Sequence, residues 1–184
     1  MEDVIMQEDI MQEETLDTEK GKYMTFKNLG EYYGIALKYV VEIVGIQRIT
    51  AIPEVEDYIK GLINLRGKII PVIDVRVRFK QEPFEYNDRT CIIIIRVNDV
   101  LVGLIVETIA EVVEIEDSKI VPPPTLTSKN AKNQYVYGLG KVGDSVKMLL
   151  DPEKLIQDEE LNFLDEMANQ ADNGANEIAQ ESEE

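Results

Sequence analysis

The run Gly138-Leu139-Gly140-Lys141-Val142-Gly143 satisfies G-x-G-x-x-G, the pattern with which a strand-to-helix turn brings backbone N–H groups against a pyrophosphate. The residues that follow argue against that chemistry. Val146, Met148 and Leu150 alternate as on a strand, so the run predicts a hairpin turn at Gly143-Asp144 and offers no βαβ unit to hold a nucleotide. The chain has no histidine, which removes the commonest general acid–base and a frequent metal ligand. Its single cysteine, Cys91, lies in the apolar run Cys91 to Ile95 with no histidine to activate it, and reads as a core thiol. The neighbouring acids Glu116-Asp117 and Asp158-Glu159-Glu160 read as solvated charge on a loop and a helix face. Walker, zinc and calcium-loop spacings are missing from the sequence. These readings lead to the expectation of a non-enzymatic protein with no catalytic residues, no cofactor and no metal.

A chain of 184 residues can bury a sizeable core. No apolar run approaches the roughly 18 residues that span a bilayer, and the N-terminus lacks a basic stretch followed by an apolar one. A soluble cytoplasmic protein without membrane insertion is therefore expected. The net charge of −17 sits at the two ends: residues 1–20 carry −7, residues 151–184 carry −11, and residues 21–150 carry +1. Acidic ends repel phosphate, and a near-neutral middle has no basic stripe, so nucleic acid is not an expected partner. The blocks IMQED (Ile5 to Asp9) and IMQEE (Ile10 to Glu14) repeat with a period that fits neither helix nor strand, which predicts an acidic flexible arm over 1–20. At the other end Asp151-Pro152 forms an N-cap and first-turn pair, and Leu155, Ile156, Leu161, Leu164 and Met167 form an apolar stripe. A C-terminal helix is expected over 151–168, followed by a disordered acidic tail over 169–184.

The elements that would position a binding surface are clearest between Gly61 and Arg76. Leu62 to Leu65 and Lys68 to Ile73 read as paired strands around an Arg66-Gly67 turn. Pro71 cannot donate to a ladder, which predicts an edge or irregular position for the second strand. Asp74 then fits the N-cap of a short helix from Val75 to Lys80. Further turns are expected at Leu29-Gly30 and Asn98-Asp99.

Between the ends the same design occurs twice. A shift of 69 positions lays Gly34, Glu42 and Pro53 over Gly103, Glu111 and Pro122, and a shift of 77 lays Gly61 and Asp74 over Gly138 and Asp151. The difference fits a longer loop in the second copy, from Pro122 through Gln134. Short strands separated by turns at this spacing suggest small closed barrels, which leave few exposed edges. The expectation is all-β: two five-stranded β-barrels side by side over about 21–86 and 87–150, with short helices and a C-terminal helix. The second shift carries Arg66 onto Gly143, so the repeated fold does not demand an arginine at that turn.

The segments FKNLGEYYGI, VVEIVG, GLINLRGKIIPVIDVR, EYND and YGLGKVGD occur in order from about Tyr23 to Leu164, and together they resemble the CheW-type chemotaxis coupling proteins. The resemblance implies two SH3-like barrels sharing a groove, with terminal segments crossing between them. It also implies an adaptor that joins the cytoplasmic tip of a methyl-accepting chemoreceptor to the histidine autokinase CheA at membrane-associated arrays. On matching positions it implies Val40, Glu42, Arg66 and Val112 at the receptor-binding groove, and Gly61 as a marker near the kinase-binding surface of the first barrel. A Glu42–Arg66 pair that merely fastens two loops is the structural alternative. Three other readings stand beside the adaptor: a generic SH3-like peptide-binding module, an NAD-dependent enzyme resting on the glycine run, and a CheW-like domain fused to a receiver or kinase. The acidic tail favours the free-standing adaptor over the last.

Overall fold

The computed structural model describes residues 18–124 and 134–181. Most of the expected N-terminal arm, most of the expected long loop of the second copy and the last three residues of the expected tail lie outside the described residues. Four two-residue turns organise the rest. Leu29-Gly30 joins strands β1 (Lys22–Asn28) and β2 (Glu31–Ala36), and Arg66-Gly67 joins β4 (Ile59–Leu65) and β5 (Lys68–Asp74). Asn98-Asp99 joins β6 (Cys91–Val97) and β7 (Val100–Val106), and Gly143-Asp144 joins β10 (Val136–Val142) and β11 (Ser145–Leu150). In the first three turns both central residues have positive φ, the conformation whose twist matches that of the flanking strands. The glycine run thus lies in an antiparallel hairpin, as its alternation predicts.

The hairpins do not stay with their own halves of the chain. One sheet has the order β3-β6-β7-β5-β4, where β3 is Val40–Gly45, and the other has β8-β1-β2-β11-β10-β9, where β8 is Thr108–Glu114 and β9 is Ile120–Val121. Hairpin β1–β2 therefore belongs with the second-half strands, and β6–β7 with the first-half strands. This corrects the division at 86/87, which falls inside one sheet. The linkers explain the exchange. Glu107 alone separates β7 from β8, and the three-residue 3-10 turn Leu37–Tyr39 separates β2 from β3, so each strand passes to the other sheet instead of reversing beside its predecessor. The duplication itself is preserved in the registers: Val72 pairs with Gly103 in one parallel ladder and Leu149 with Gly34 in the other, residues related by the shifts of 77 and 69.

Each five-stranded, SH3-like unit closes through the continuation of its edge strand. After β3 the chain returns to β4, where Thr50 and Leu62 exchange backbone hydrogen bonds of 2.8 and 2.9 Å. After β8 it returns as β9 to pair with Leu139 and Gly140 of β10. These closures explain the glycines. A Cβ on Gly61 would stand 2.0 Å from the Thr50 carbonyl oxygen, and the backbone there has φ of 139°. On Gly138 and Gly140 a Cβ would stand 2.6 Å from Ile120 and Ile115 side-chain carbons, so the G-x-G spacing serves close packing. Pro71 takes the irregular of its two expected positions. It lies in β5, an interior strand between β7 and β4, and not at a sheet edge. Its effect is local: the β5–β7 ladder covers only Val72 to Asp74.

The main apolar core spans both sheets, with Phe26, Tyr33, Ile35 and Leu150 from one and Ile73, Ile93, Val102 and Leu104 from the other. Helix α1 (Val75–Arg78) starts at Asp74, whose carboxylate accepts the N–H groups of Arg76 and Val77, and it stops short of the expected Lys80 with Phe79 as its C-cap. Helix α2 (Pro152–Leu155) starts in the same way at Asp151. Helix α3 (Asp158–Glu181) continues well past residue 168, correcting the expectation of disorder from 169. Its buried stripe is Leu161, Leu164 and Ala168, with Ala168 in place of the expected Met167. Low hydrophobicity does not preclude a helix, because alanine, glutamate and glutamine are good helix formers. Arg78 ties the parts together: its Nε donates to the Leu155 carbonyl at 2.9 Å and its Nη2 to Glu160 at 3.1 Å. Tyr58 donates to the same Glu160 carboxylate.

Two outcomes follow from this packing. Gly61→Ala should lower unfolding free energy by about 3 kcal/mol or more, because the obstacle is backbone and cannot swing away; urea denaturation measures it. The Tyr58 and Tyr86 hydroxyls are pushed well above the ordinary 10.0, first by burial and then by hydrogen bonds to Glu160 and Asp74. Each holds its proton more tightly in the folded chain, so its contribution to stability is full below pH 10 and is lost as pH rises above it. Ultraviolet titration should show some of the eight tyrosines ionising only with alkaline unfolding.

Candidate functional site

The Arg66-Gly67 turn, like the Leu29-Gly30 turn, is a place where local conformation and residue type disagree. Arg66 sits in the left-handed region with φ of 52°, a conformation that disfavours a residue with a Cβ by about 1 kcal/mol. Its counterpart in the second copy is Gly143, with φ of 58°. The turn is nonetheless well made, because Gly67 has φ of 88° and its N–H donates to Asn64 Oδ1 at 2.8 Å. An arginine here is thus a departure from its counterpart in the second copy. Its Nη2 donates to Glu42 Oε1 on β3, forming the ion pair expected from the sequence. The guanidinium side chain is 71% exposed and the Glu42 side chain 30% exposed, so the pair presents charge to solvent.

Glu42 reaches the turn because β3 is bulged. The register against β6 shifts between Val40↔Ile95 and Glu42↔Ile94, leaving Val41 as the extra residue with 46% of its surface exposed. Residue type alone does not single out Val41; the bulge that exposes it depends on a partner strand 50 residues away in sequence. The second copy has the same bulge in β8 against β1, between Ile109↔Phe26 and Val112↔Met24. There the buried Thr25 hydroxyl fastens the irregularity, donating to the Glu111 carbonyl at 2.6 Å and accepting from the Glu111 N–H at 3.1 Å. Glu111 itself is exposed, and the turn in the corresponding place carries Gly143. The two copies share the bulge but not the ion pair.

A family model described as a CheW-like domain matches residues 22–160. The chain belongs to the CheW family. It is 36% identical over 135 residues to the chemotaxis protein CheW of Klebsiella aerogenes, covering 73% of this chain and 81% of that protein. It is 39% identical over 109 residues to CheW of Bacillus subtilis, covering 59% and 70% of the two chains. The crystal structure of the scaffolding protein TtCheW from Thermoanaerobacter tengcongensis superposes with a TM-score of 0.69 at 35% identity, over 76% of this chain and 94% of that one.

Within this CheW-like fold the other expected site residues fall in different settings. Val112 is 48% exposed on β8, the edge strand of the sheet opposite β3; it shares a topological position with the β3 residues and not the ion pair. Val40 is half-buried and packs against the main core while opening β3. Gly61 is buried, and the closure at Thr50 accounts for it without any partner. Val41, Glu42 and Arg66 are accordingly the group that combines exposure, charge and an otherwise unneeded residue choice. Arg66→Gly should stay within about 1 kcal/mol of the parent, because relief of the left-handed strain offsets loss of an exposed ion pair; thermal unfolding checks this.

Proposed function

We propose that the chain is a non-enzymatic chemotaxis adaptor that couples the cytoplasmic tips of methyl-accepting chemoreceptors to the histidine autokinase CheA. The observation that carries this reading is the exposed Glu42–Arg66 pair, in which an arginine occupies a left-handed turn position that the second copy fills with glycine. Chemotaxis names on the relatives and the scaffolding role named for TtCheW support it. Receptor binding is assigned to the groove flanked by β3 and β8, with Val40, Val41, Glu42, Arg66 and Val112 as its residues. Kinase binding is assigned to another face of the β3–β7 barrel, in the neighbourhood of β4 that Gly61 marks.

Such a protein transmits a signal without chemistry of its own: it binds two partners at once, and any difference in its contacts between two kinase states shifts their populations. Among the described residues no helix is long and apolar enough to cross a membrane, and an adaptor of this kind works in the cytoplasm, recruited to membrane-associated arrays by the receptors it holds. The second reading is a generic SH3-like peptide-binding module, favoured by the exposed edge-strand valines Val41 and Val112. The two readings differ in whether receptor and kinase are bound together.

A pulldown with a receptor cytoplasmic fragment and CheA tests this. The adaptor should bring down both partners in one complex and restore receptor control of kinase activity. Arg66→Ala should fold normally yet weaken receptor binding about tenfold, with kinase binding kept. Separate but never simultaneous binding would favour the peptide module, and full receptor control by a folded Arg66→Ala protein would remove Arg66 from the interface.

A further inference from the structure

The half of β5 nearest the Arg66 turn lacks its neighbour. Around a two-residue turn Leu65 and Lys68 exchange both backbone bonds, so Ile69 and Pro71 direct their backbone groups away from β4, toward β7. Pro71 has no N–H to give there. In the second copy the same place holds Met148, and the β11–β2 ladder runs through Lys147↔Tyr32 and Met148↔Tyr33 toward its turn. In the first copy the ladder stops at Val72↔Gly103, two residues farther from the turn than its counterpart. The hairpin tip that carries Arg66 is therefore unladdered on one side.

Helix α3 fills that place. It packs on β5 and β7, and its stripe Leu161, Leu164 and Ala168 continues in register to Asp172, with Ala168 and Ala171 small enough for close approach. The Ile69 N–H donates to Asp172 Oδ1 at 3.0 Å, across 103 positions of sequence. We propose that Asp172 is a positioning residue for the receptor-facing hairpin: it supplies the acceptor that the broken ladder does not, and so holds Arg66 opposite Glu42. This rests on the assignment of that hairpin to receptor binding and adds to it a residue from the far end of the chain. It also makes the helical turn around Asp172 part of the site.

The test compares Asp172→Ala, Asp172→Asn and the double variant Asp172→Ala with Pro71→Met, which places at 71 the residue its counterpart carries. Three quantities are read: hydrogen exchange of the Ile69 amide, nuclear magnetic relaxation of the Arg66 Nε–H, and affinity for a receptor cytoplasmic fragment beside that for CheA. Asp172→Ala should speed Ile69 exchange about tenfold, loosen Arg66, and weaken receptor binding about 5-fold with CheA binding unchanged. Asp172→Asn, which keeps an acceptor oxygen, should recover all three, and the double variant should recover Arg66 order and receptor affinity. A folded Asp172→Ala protein with Arg66 as ordered as in the parent overturns the proposal, as does a double variant that recovers nothing. If Arg66→Ala binds receptor like the parent, the receptor assignment fails instead, and the relaxation of Arg66 still decides whether Asp172 holds the hairpin. Should Asp172→Ala not fold, the double variant against the parent decides the same point.

Discussion

The Arg78 guanidinium lies 4.3 Å from the ring centroid of Tyr58 and 5.1 Å from that of Tyr135, with its side chain only 10% exposed. Those two tyrosines are equivalent positions of the duplicated sequence, and each precedes a hairpin whose second strand leads into a helix cap: Asp74 N–H donates to the Tyr58 carbonyl and Asp151 N–H to the Tyr135 carbonyl. Arg78 thus sits between the halves, where the symmetry would otherwise place two aromatic faces and nothing to join them. A charge this far from water is tolerable only when it is fully partnered. Glu160 and the Leu155 carbonyl complete the set, and in doing so fix where α2 ends and where α3 begins. Glu160 also accepts from the Gln157 N–H at 3.0 Å, closing the first turn of α3. The course of α3 across β5, and with it the meeting of Asp172 and Ile69, starts from this set and is continued by the buried Leu161, Leu164 and Ala168.

The exchange of hairpins between the sheets has a consequence for the surface. Because β3 and β8 are each reached by a short crossing from the other sheet, both become edge strands, and both carry a bulge that turns side chains outward. Edge strands are ordinarily hazards for aggregation. Here the return segments at Thr50 and β9 close the sheets from the other side, and a charged pair occupies the β3 bulge. A surface with exposed valines beside a carboxylate and a guanidinium suits a partner that offers both apolar area and hydrogen-bonding groups.

What the sequence disclosed follows from the range of the forces involved. The turns at Leu29-Gly30, Arg66-Gly67, Asn98-Asp99 and Gly143-Asp144 were legible because a turn is decided by two residues, and the caps at Asp74 and Asp151 because a cap is decided by three or four. The Glu42–Arg66 pair was legible through the family likeness and the missing counterpart at Gly143. The hairpin exchange was not, since each hairpin presents the same alternation whichever sheet it joins. Nor was the full length of α3, where composition suggested disorder and a contact as distant in sequence as Asp172 with Ile69 ties the helix to the barrel. Pro71 was read as marking an edge or an irregular position, and the structure shows the irregular one, because sequence shows which rung is lost but not which neighbour loses it.

The duplication gives a way to separate fold from function in this chain. Positions at which the two copies agree, such as Gly61 with Gly138, Asp74 with Asp151 and Gly34 with Gly103, have packing or capping reasons that the structure supplies in full. Among the positions at which they differ are Arg66 against Gly143, Pro71 against Met148 and Arg78 against Leu155. None of these first-copy residues is the cheaper choice locally, since they place a side chain in a left-handed turn, remove a ladder donor and bury a charge. Each is compensated by a long-range partner, Glu42, Asp172 and Glu160 respectively, and two of those partners lie on the same helix. Arg78 serves both copies at once, over Tyr58 of one and Tyr135 of the other, whereas Arg66 and Pro71 shape only the hairpin of the first copy.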